Sequence, residues 1–206
     1  MESYLKDPCR ALSIPLWKWK RISVPDGMEI VHDSMFSKDK YVGVADERYF
    51  RLSRTFADVQ KFGLDEYEVR TVSENDIAEV VDNINRSYLD LQVSVSQMVS
   101  YTNTPVFNQN LWILVCEKET GICVGSGIAD YDAEAGELIL EWIQVLPEYR
   151  RRNIGKLIVN ELLWRGKDYA SFATVSGKKD DPINPETLYR ACGFSGNDIW
   201  HILIKK

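Results

Sequence analysis

The chain has 206 residues, of which 45% are hydrophobic and 27% are charged, and its net charge is −6. These proportions are typical of a globular protein and exclude a disordered chain. No apolar stretch approaches the roughly 18 residues of a transmembrane helix, and the first residues lack the apolar core of a signal peptide. We therefore expect a cytoplasmic protein without a membrane partner. The sequence pI of about 5.1 argues against a nucleic-acid partner.

The four cysteines show no paired spacing, and the sequence contains only two histidines, His32 and His201. A zinc site needs several such ligands at close spacing, so we expect no metal. Reduced, buried thiols are the usual state of cysteine in a cytoplasmic protein and are the expected state here.

Residues 1–65 are predicted to form an N-terminal extension. This part carries a net charge of +1, whereas residues 66–206 carry −7. Alternating apolar residues at 16–20 and at 28–32 predict two short strands, while residues 41–56 fit a strand or a helix equally well. Three roles are open to the extension: it covers an acceptor cleft, extends the sheet or forms a homodimer contact.

From residue 66 onward, hydrophobic periodicity and capping residues give a regular series of elements. Strands are predicted at 67–72, 111–117, 122–131, 138–145, 172–176 and 199–204. Helices are predicted over 77–84, over 95–101, from Ile154 onward, and from Asn184 to Gly193. The order β-α-α-β-β-β-α-β-α-β predicts a mixed α/β domain at 66–206, with a largely antiparallel central sheet flanked by helices.

A basic turn between a strand and a helix carries the clearest chemical signal. Arg150, Arg151, Arg152 and Lys156 surround the start of the helix that begins near Ile154. Cations are unfavourable at a helix N-terminus, whereas the free N–H groups there suit a phosphate. The cluster therefore indicates a bound anion, and a solvated basic turn is the alternative.

This turn resembles the signature of the GCN5-related N-acetyltransferase (GNAT) superfamily, Arg/Gln-x-x-Gly-x-Gly/Ala, within a longer V-x-P-x-x-R-G-x-G-I-G pattern. Arg150, Ile154 and Gly155 match the signature, and residues 145–147 match its lead-in. Asn153 replaces the first glycine of the signature, and asparagine tolerates a left-handed backbone. Residues 184–194 resemble the family's second hallmark, an asparagine followed by a tyrosine and a glycine-phenylalanine pair.

The resemblance implies a GNAT fold over 66–206 and a transferase that moves an acetyl group from acetyl-CoA to a primary amine by direct attack. It implies that the pyrophosphate lies on backbone N–H groups of the basic turn and that the pantetheine arm pairs with the strand ending at Val145. The implied cofactor-binding residues are Ile143, Gln144, Val145, Arg150, Arg151, Arg152, Asn153, Ile154, Gly155, Lys156 and Asn184. The acceptor is a small-molecule or peptide amine that the sequence does not identify.

Two residues are predicted to act in catalysis. The resemblance implies that Tyr189 protonates the departing thiolate, and a buried structural tyrosine is the alternative. A protonated amine must lose a proton before it attacks, so a base is needed. Glu141 lies in an otherwise apolar strand and, by alternation, shares a face with Ile143 and Val145. It is the first candidate for the base, directly or through water, and Glu137 is the second; a structural ion pair is the alternative.

A CoA-binding sensor or interaction module without turnover is the competing hypothesis. The side chain of Asn153 hinders close approach of a phosphate more than glycine does, and this keeps the hypothesis open. A longer acyl-CoA donor is a third possibility, and the sequence does not decide the length of the acyl chain or the oligomeric state.

Overall fold

The computed structural model describes residues 1–88 and 91–205, and these contain seven α-helices and eight strands. The helices are α1 (Glu2–Lys6), α2 (Pro8–Ala11), α3 (Leu16–Trp19), α4 (Ile77–Ser87), α5 (Val95–Tyr101), α6 (Ile154–Gly166) and α7 (Pro185–Ala191). The strands are β1 (Met28–His32), β2 (Ala45–Arg54), β3 (Tyr67–Thr71), β4 (Trp112–Glu117), β5 (Cys123–Asp132), β6 (Glu137–Val145), β7 (Phe172–Lys178) and β8 (Ser195–Ile204).

The chain divides into two compact units. The first unit comprises Met1–Arg54 together with the C-terminal part of the chain from Thr174 onward, and the second comprises Thr55–Ala173. The predicted division into residues 1–65 and 66–206 stays a prediction.

Both units are built on antiparallel strand pairs. In the second unit, β3 pairs with β4, β4 with β5, and β5 with β6, all antiparallel. In the first unit, β1 and β2 each pair antiparallel with β8, so strands from the N-terminal extension extend a sheet. The order of elements from β3 onward is the predicted one, and the mixed α/β class with a largely antiparallel sheet is confirmed.

Two layers of helix cover the sheet of the second unit. Helix α4 begins after a capping box in which Ser73 and Asp76 bond each other's backbone, as the spacing predicts. Its apolar stripe packs against even-numbered residues of β4 in a buried cluster that includes Ile84, Trp112 and Leu114. Helix α6 packs on the other face, where glycines let it approach closely: a β-carbon on Gly127 would lie 2.4 Å from a side chain of α6.

The predicted strand at residues 16–20 is wrong, because Leu16–Trp19 forms the single helical turn α3. Pro15 precedes this turn and suits a helix start, and the Tyr4 hydroxyl accepts a hydrogen bond from the Leu16 N–H at 3.3 Å. A run of five alternating residues fits a strand or a short amphipathic turn equally well, and here the tertiary contact decides for the turn.

The expectation of reduced cysteines is also wrong for one pair. Cys116 and Cys123 lie in register on β4 and β5 and form a disulfide. The pairing is invisible in the sequence because it depends on a tight hairpin that brings residues seven apart face to face. Cys9 and Cys192 are free and buried, as expected.

None of the helices in residues 1–88 and 91–205 combines the length and hydrophobicity needed to cross a bilayer.

Candidate active site

Strand β6 carries one extra residue in its middle. Ile128 of β5 lies opposite Trp142 of β6, whereas the next residue, Ala129, lies opposite Leu140. Glu141 is therefore left without an opposite residue and forms a β-bulge. A bulge bends the strand and re-aims the side chains that follow it, and bulges are frequent beside active sites.

The bulge places Glu141 on a different face from the one expected. Ile143 and Val145 lie opposite Gly127 and Gly125, the glycines that face α6. Strand residues directly opposite each other share a face, so Ile143 and Val145 also point toward α6. The prediction that Glu141 shares this face assumes that side chains alternate along β6 without interruption, and the bulge interrupts that alternation.

The residue before the bulge fixes the direction of Glu141. Leu140 lies opposite Ala129, which shares a face with Gly127 because β5 alternates regularly over these residues. Glu141 follows Leu140 and therefore points to the opposite face, toward α4. The predicted common face is thus wrong, and Glu141 is half-buried on the side of the sheet that carries the α4 core cluster.

Glu137, the second candidate for the base, lies four residues before the bulge. It is fully buried and stands opposite Asp132 at the hairpin end of β6. Four residues of strand span about 13 Å, so Glu137 is well separated from the bulge. Of the two candidates for the base, Glu141 is favoured because it lies at the bulge, whereas Glu137 lies at the hairpin end of β6.

Gln144 places an unsatisfied amide next to the bulge. Its side chain is 2% exposed, and its Oε1 accepts a hydrogen bond of 3.0 Å from the buried Ser126 hydroxyl. The Nε2 of Gln144 has no hydrogen-bond partner in the described part of the chain. A buried donor without a partner lowers stability by about 1–3 kcal/mol. Gln144 is therefore a predicted cofactor-binding residue that carries such a cost.

The turn that follows β6 contains two non-glycine residues in the left-handed conformation. The φ angle is 66° at Arg151 and 62° at Asn153. Asn153 is the N-cap residue of α6, and its side chain makes no capping hydrogen bond. The first N–H groups of a helix have no acceptor within the helix, so the N-terminus of α6 presents uncapped donors.

Arg150 braces this turn instead of facing solvent. Its Nε donates to the Val145 carbonyl at 3.2 Å, and one of its terminal nitrogens donates to the Ser87 carbonyl at 2.9 Å. The guanidinium thereby ties the end of β6 to the end of α4. Arg150 therefore positions the turn through two of its nitrogens, and its contact with a cofactor stays a prediction.

The remaining cations of the turn lie near aromatic rings or in solvent. Arg152 lies 4.9 Å from the ring centre of Tyr149, and Lys156 lies 4.9 Å from that of Phe62. Arg151 and Arg152 are exposed, and Lys156 is half-buried. The turn therefore gathers positive charge at the positive end of the α6 dipole, an arrangement that an anion would stabilise.

Asn184 and Tyr189 lie in the first unit, on α7. Asn184 is exposed, adopts a left-handed conformation with a φ of 51°, and occupies the N-cap position without a side-chain capping bond. Asn184 therefore starts α7 at the N-cap position, although its side chain makes no capping hydrogen bond. Tyr189 is 7% exposed, with the rings of Phe50 and Phe194 at 6.2 and 6.0 Å.

An ion-paired carboxylate steadies the first turn of α7. Burial alone would raise the pKa of Glu186, but hydrogen bonds from Lys179 at 2.6 Å and from Arg190 at 2.9 Å outweigh it, and the pKa lies below its ordinary value. Glu186 is therefore ionised at neutral pH and also complements the positive end of the α7 dipole.

Three features of the site were not predicted from the sequence: the bulge at Glu141, the buried Ser126–Gln144 pair and the left-handed conformation of Arg151. A signal existed only for the last. Arg151 stands where the longer family pattern has a glycine, a residue that adopts positive φ freely.

Comparison with known proteins agrees with this geometry. Residues 109–196 match the family model of the acetyltransferase (GNAT) domain. No protein of curated function matches the sequence significantly.

Solved structures with this fold share little sequence with the chain. A GCN5-related N-acetyltransferase from Sphaerobacter thermophilus superposes with a TM-score of 0.72 at 14% identity, over 92% of this chain and 63% of the other. The chain thus spans less than two thirds of that protein. The ribosomal-protein-S18-alanine N-acetyltransferase of Escherichia coli gives a TM-score of 0.54 at 15% identity, over 68% and 95% of the two chains. Ard1 from Thermoplasma volcanium gives 0.55 at 14% identity, over 68% and 99%. Residues 109–196 thus match the GNAT acetyltransferase domain in sequence, and the fold of the chain is the one found in these GNAT structures.

Proposed function

We propose that this protein transfers an acetyl group from acetyl-CoA to a primary amine. The observation that carries the proposal is the start of α6, where uncapped N–H groups, two left-handed residues and a concentration of cations meet at the end of a bulged strand. A nucleotide diphosphate supplies the negative charge and acceptor oxygens that this turn lacks.

The residues of the turn fit the pyrophosphate of CoA. Backbone N–H groups of residues 151–156 would hold the phosphate oxygens, and the side chains of Arg151, Arg152 and Lys156 would balance their charge. Each cation near an empty helix N-terminus costs about 0.3–1 kcal/mol, and a bound anion reverses the sign. Residues 143–145 would pair with the pantetheine arm, and Asn184, whose amide is not used for capping, would contact it.

Glu141 would accept the proton of the incoming amine. An alkyl ammonium has a pKa of roughly 10 and must lose its proton before it can attack a carbonyl. The bulge presents this half-buried carboxylate on the α4 face, and a carboxylate in a largely apolar strand needs such a functional or structural reason.

Tyr189 would donate a proton to the departing thiolate. The rings of Phe50 and Phe194 restrict the position of the phenol, and a fixed donor needs little reorganisation during reaction. Acetyl-CoA supplies the activated acyl group when bound. The protein's residues position the amine, remove its proton and return a proton to sulfur. We also propose a cytoplasmic location. The Cys116–Cys123 disulfide is an unusual feature for such a location, because disulfides are uncommon in reducing compartments.

The experiment is a thiol-release assay with acetyl-CoA and a panel of primary amines: a polyamine, a lysine-containing peptide and a peptide with a free N-terminus. The last is included because the E. coli relative acts on an alanine of a ribosomal protein. Tyr189→Phe should lower kcat about 100-fold with little change in the Kd of acetyl-CoA, since proton transfer contributes roughly 100- to 10,000-fold. Tyr49→Phe, in the same unit and bonded to Glu47, is the matched control and should retain activity. An unchanged kcat in Tyr189→Phe would remove Tyr189 from the chemistry.

Arg151 and Asn153 stand where the family pattern has glycines, and this departure leaves one other function open, a CoA-binding module without turnover. They occupy positions where glycine would leave the backbone bare for a phosphate. Saturable CoA binding with no thiol release from any amine of the panel would support the binding module and contradict the enzyme.

A further inference from the structure

Three side chains of the first unit form a hydrogen-bonded chain outside the predicted transferase site. The Ser34 Oγ lies 3.0 Å from the Nδ1 of His32, and the Nε2 of His32 lies 3.0 Å from the Oδ1 of Asp198. A hydroxyl, an imidazole and a carboxylate in this order are the arrangement that activates a serine nucleophile on many unrelated folds.

The backbone fixes which nitrogen of His32 carries the proton. The Ser34 N–H donates to Nδ1 at 3.1 Å, so Nδ1 carries no proton, and its one lone pair is shared between the N–H and the hydroxyl of Ser34. The other nitrogen, Nε2, then carries the hydrogen and donates it to Asp198. This tautomer is the one in which an imidazole can take a proton from the Ser34 hydroxyl while a carboxylate stabilises the resulting cation.

Rigid elements hold the base and leave the hydroxyl accessible. His32 ends β1, is 9% exposed, and lies opposite Trp200 of β8, whose ring contacts it edge to face at 5.0 Å. Asp198 belongs to the same strand β8, and its side chain is 17% exposed. Ser34 lies in the exposed 3₁₀ turn Asp33–Met35 that directly follows β1.

Arg10 adds a positive charge at the hydroxyl. One of its terminal nitrogens donates to the Ser34 Oγ at 2.9 Å, and the other lies 4.0 Å from Asp198. Its side chain is 53% exposed. A guanidinium beside the attacking oxygen can also stabilise negative charge that develops on a carbonyl oxygen during acyl transfer.

We propose that Ser34 is a nucleophile activated by His32 and Asp198, and that it accepts acyl groups from small carboxylic esters. The Ser34 oxygen bonds to the ester carbonyl carbon while its proton passes to Nδ1 of His32. The bond to the alcohol breaks, and the leaving oxygen takes that proton from the imidazolium. Water then repeats the sequence on the acyl-serine: its proton passes to His32 and returns to Ser34 as the carboxylic acid leaves.

A fluorophosphonate probe with the full-length protein tests this proposal, because it forms a stable phosphonyl ester with activated serines. We expect labelling of the folded protein at Ser34, identified by peptide mass, and slow release of p-nitrophenol from p-nitrophenyl acetate. Ser34→Ala should abolish both signals, and Asp198→Asn should reduce labelling at least tenfold. Ser37→Ala, which alters another exposed serine three residues on, should leave both signals unchanged.

A thiol at the same position gives a second readout that does not depend on ester turnover. In Ser34→Cys, the adjacent imidazole should speed alkylation by iodoacetamide at pH 6.5 at least tenfold over Ser37→Cys, because an ordinary thiol is mostly protonated there. The native free thiols compete little: both are buried, and burial raises the pKa of Cys9 to about 11. Equal rates for the two variants, or no labelling of Ser34 in the folded protein, would show that the contacts merely close the turn after β1 and would overturn the proposal.

Discussion

Replacing Arg151 with glycine should stabilise the ligand-free protein. Arg151 has a φ of 66°, a conformation in which its β-carbon crowds the following carbonyl. It is also an exposed cation at the positive end of α6. Both features are unfavourable in the free protein, and the second becomes favourable only with an anion bound.

The magnitude follows from three opposing contributions. Relief of the left-handed conformation should yield about 1–2 kcal/mol. Removal of the cation from the helix start should add about 0.3–1 kcal/mol. The greater freedom of glycine in the unfolded chain should subtract about 0.5–1 kcal/mol. The expected net gain is about 1 kcal/mol, which corresponds to a rise of about 2–4 °C in Tm for a chain of this size.

Arg152→Gly is the matched control. It removes the same type of side chain from the next residue, whose backbone is not in the left-handed region. It also removes the contacts of Arg152 with Tyr149 and Glu148 and should lower Tm. Thermal unfolding followed by circular dichroism measures both variants without ligand. Equal changes in Tm for Arg151→Gly and Arg152→Gly would refute the assignment of strain to position 151.

Three further predictions concern packing, charge and the disulfide. Gly127→Ala should cost about 1–3 kcal/mol in urea unfolding, because the new β-carbon would lie 2.4 Å from a side chain of α6. Gly63→Ala, with nothing within 4 Å, should change stability little, and equal losses would contradict the packing. The depressed pKa of Glu186 means that its ion pairs stabilise the fold above the unfolded pKa of about 4.3, and that this stabilisation is lost as pH falls through the lower folded value. Glu186→Gln should therefore be less stable than wild type at pH 7, and the difference should shrink as pH falls below about 4.3. Thiol titration in denaturant should find two free thiols before reduction and four after it, and reduction of Cys116–Cys123 should cost about 2–3 kcal/mol; four thiols before reduction would exclude the disulfide.

The sequence predicts the elements from β3 onward because their periodicity and caps are strong. Helix α4 has apolar residues at helical spacing and a capping box, and α5 has the same box at Ser94 and Gln97. The N-terminal part is less predictable, because its helices α1, α2 and α3 have four or five residues each. Helices this short depend on tertiary contacts such as that of Tyr4 with Leu16.

The two motifs identify the basic turn and α7, but they do not show how the side chains are used. Arg150 bonds two carbonyls from different elements, a contact that only the fold reveals. Alternation along β6 fails at Glu141, because one inserted residue reverses the parity of the strand and no local sequence signal marks it. The basic turn was predictable because its charged residues lie close together in the sequence.

Calorimetric titration of the protein with CoA tests the central claim, that the start of α6 is a diphosphate site. We predict saturable binding at one site per chain, weakened at least tenfold when Arg151 and Arg152 are both replaced by alanine. Lys167→Ala removes one cation just beyond the opposite end of the same helix, about 20 Å away, and should leave the affinity unchanged. Absence of binding at millimolar CoA, or equal losses in the double variant and in Lys167→Ala, would contradict the claim.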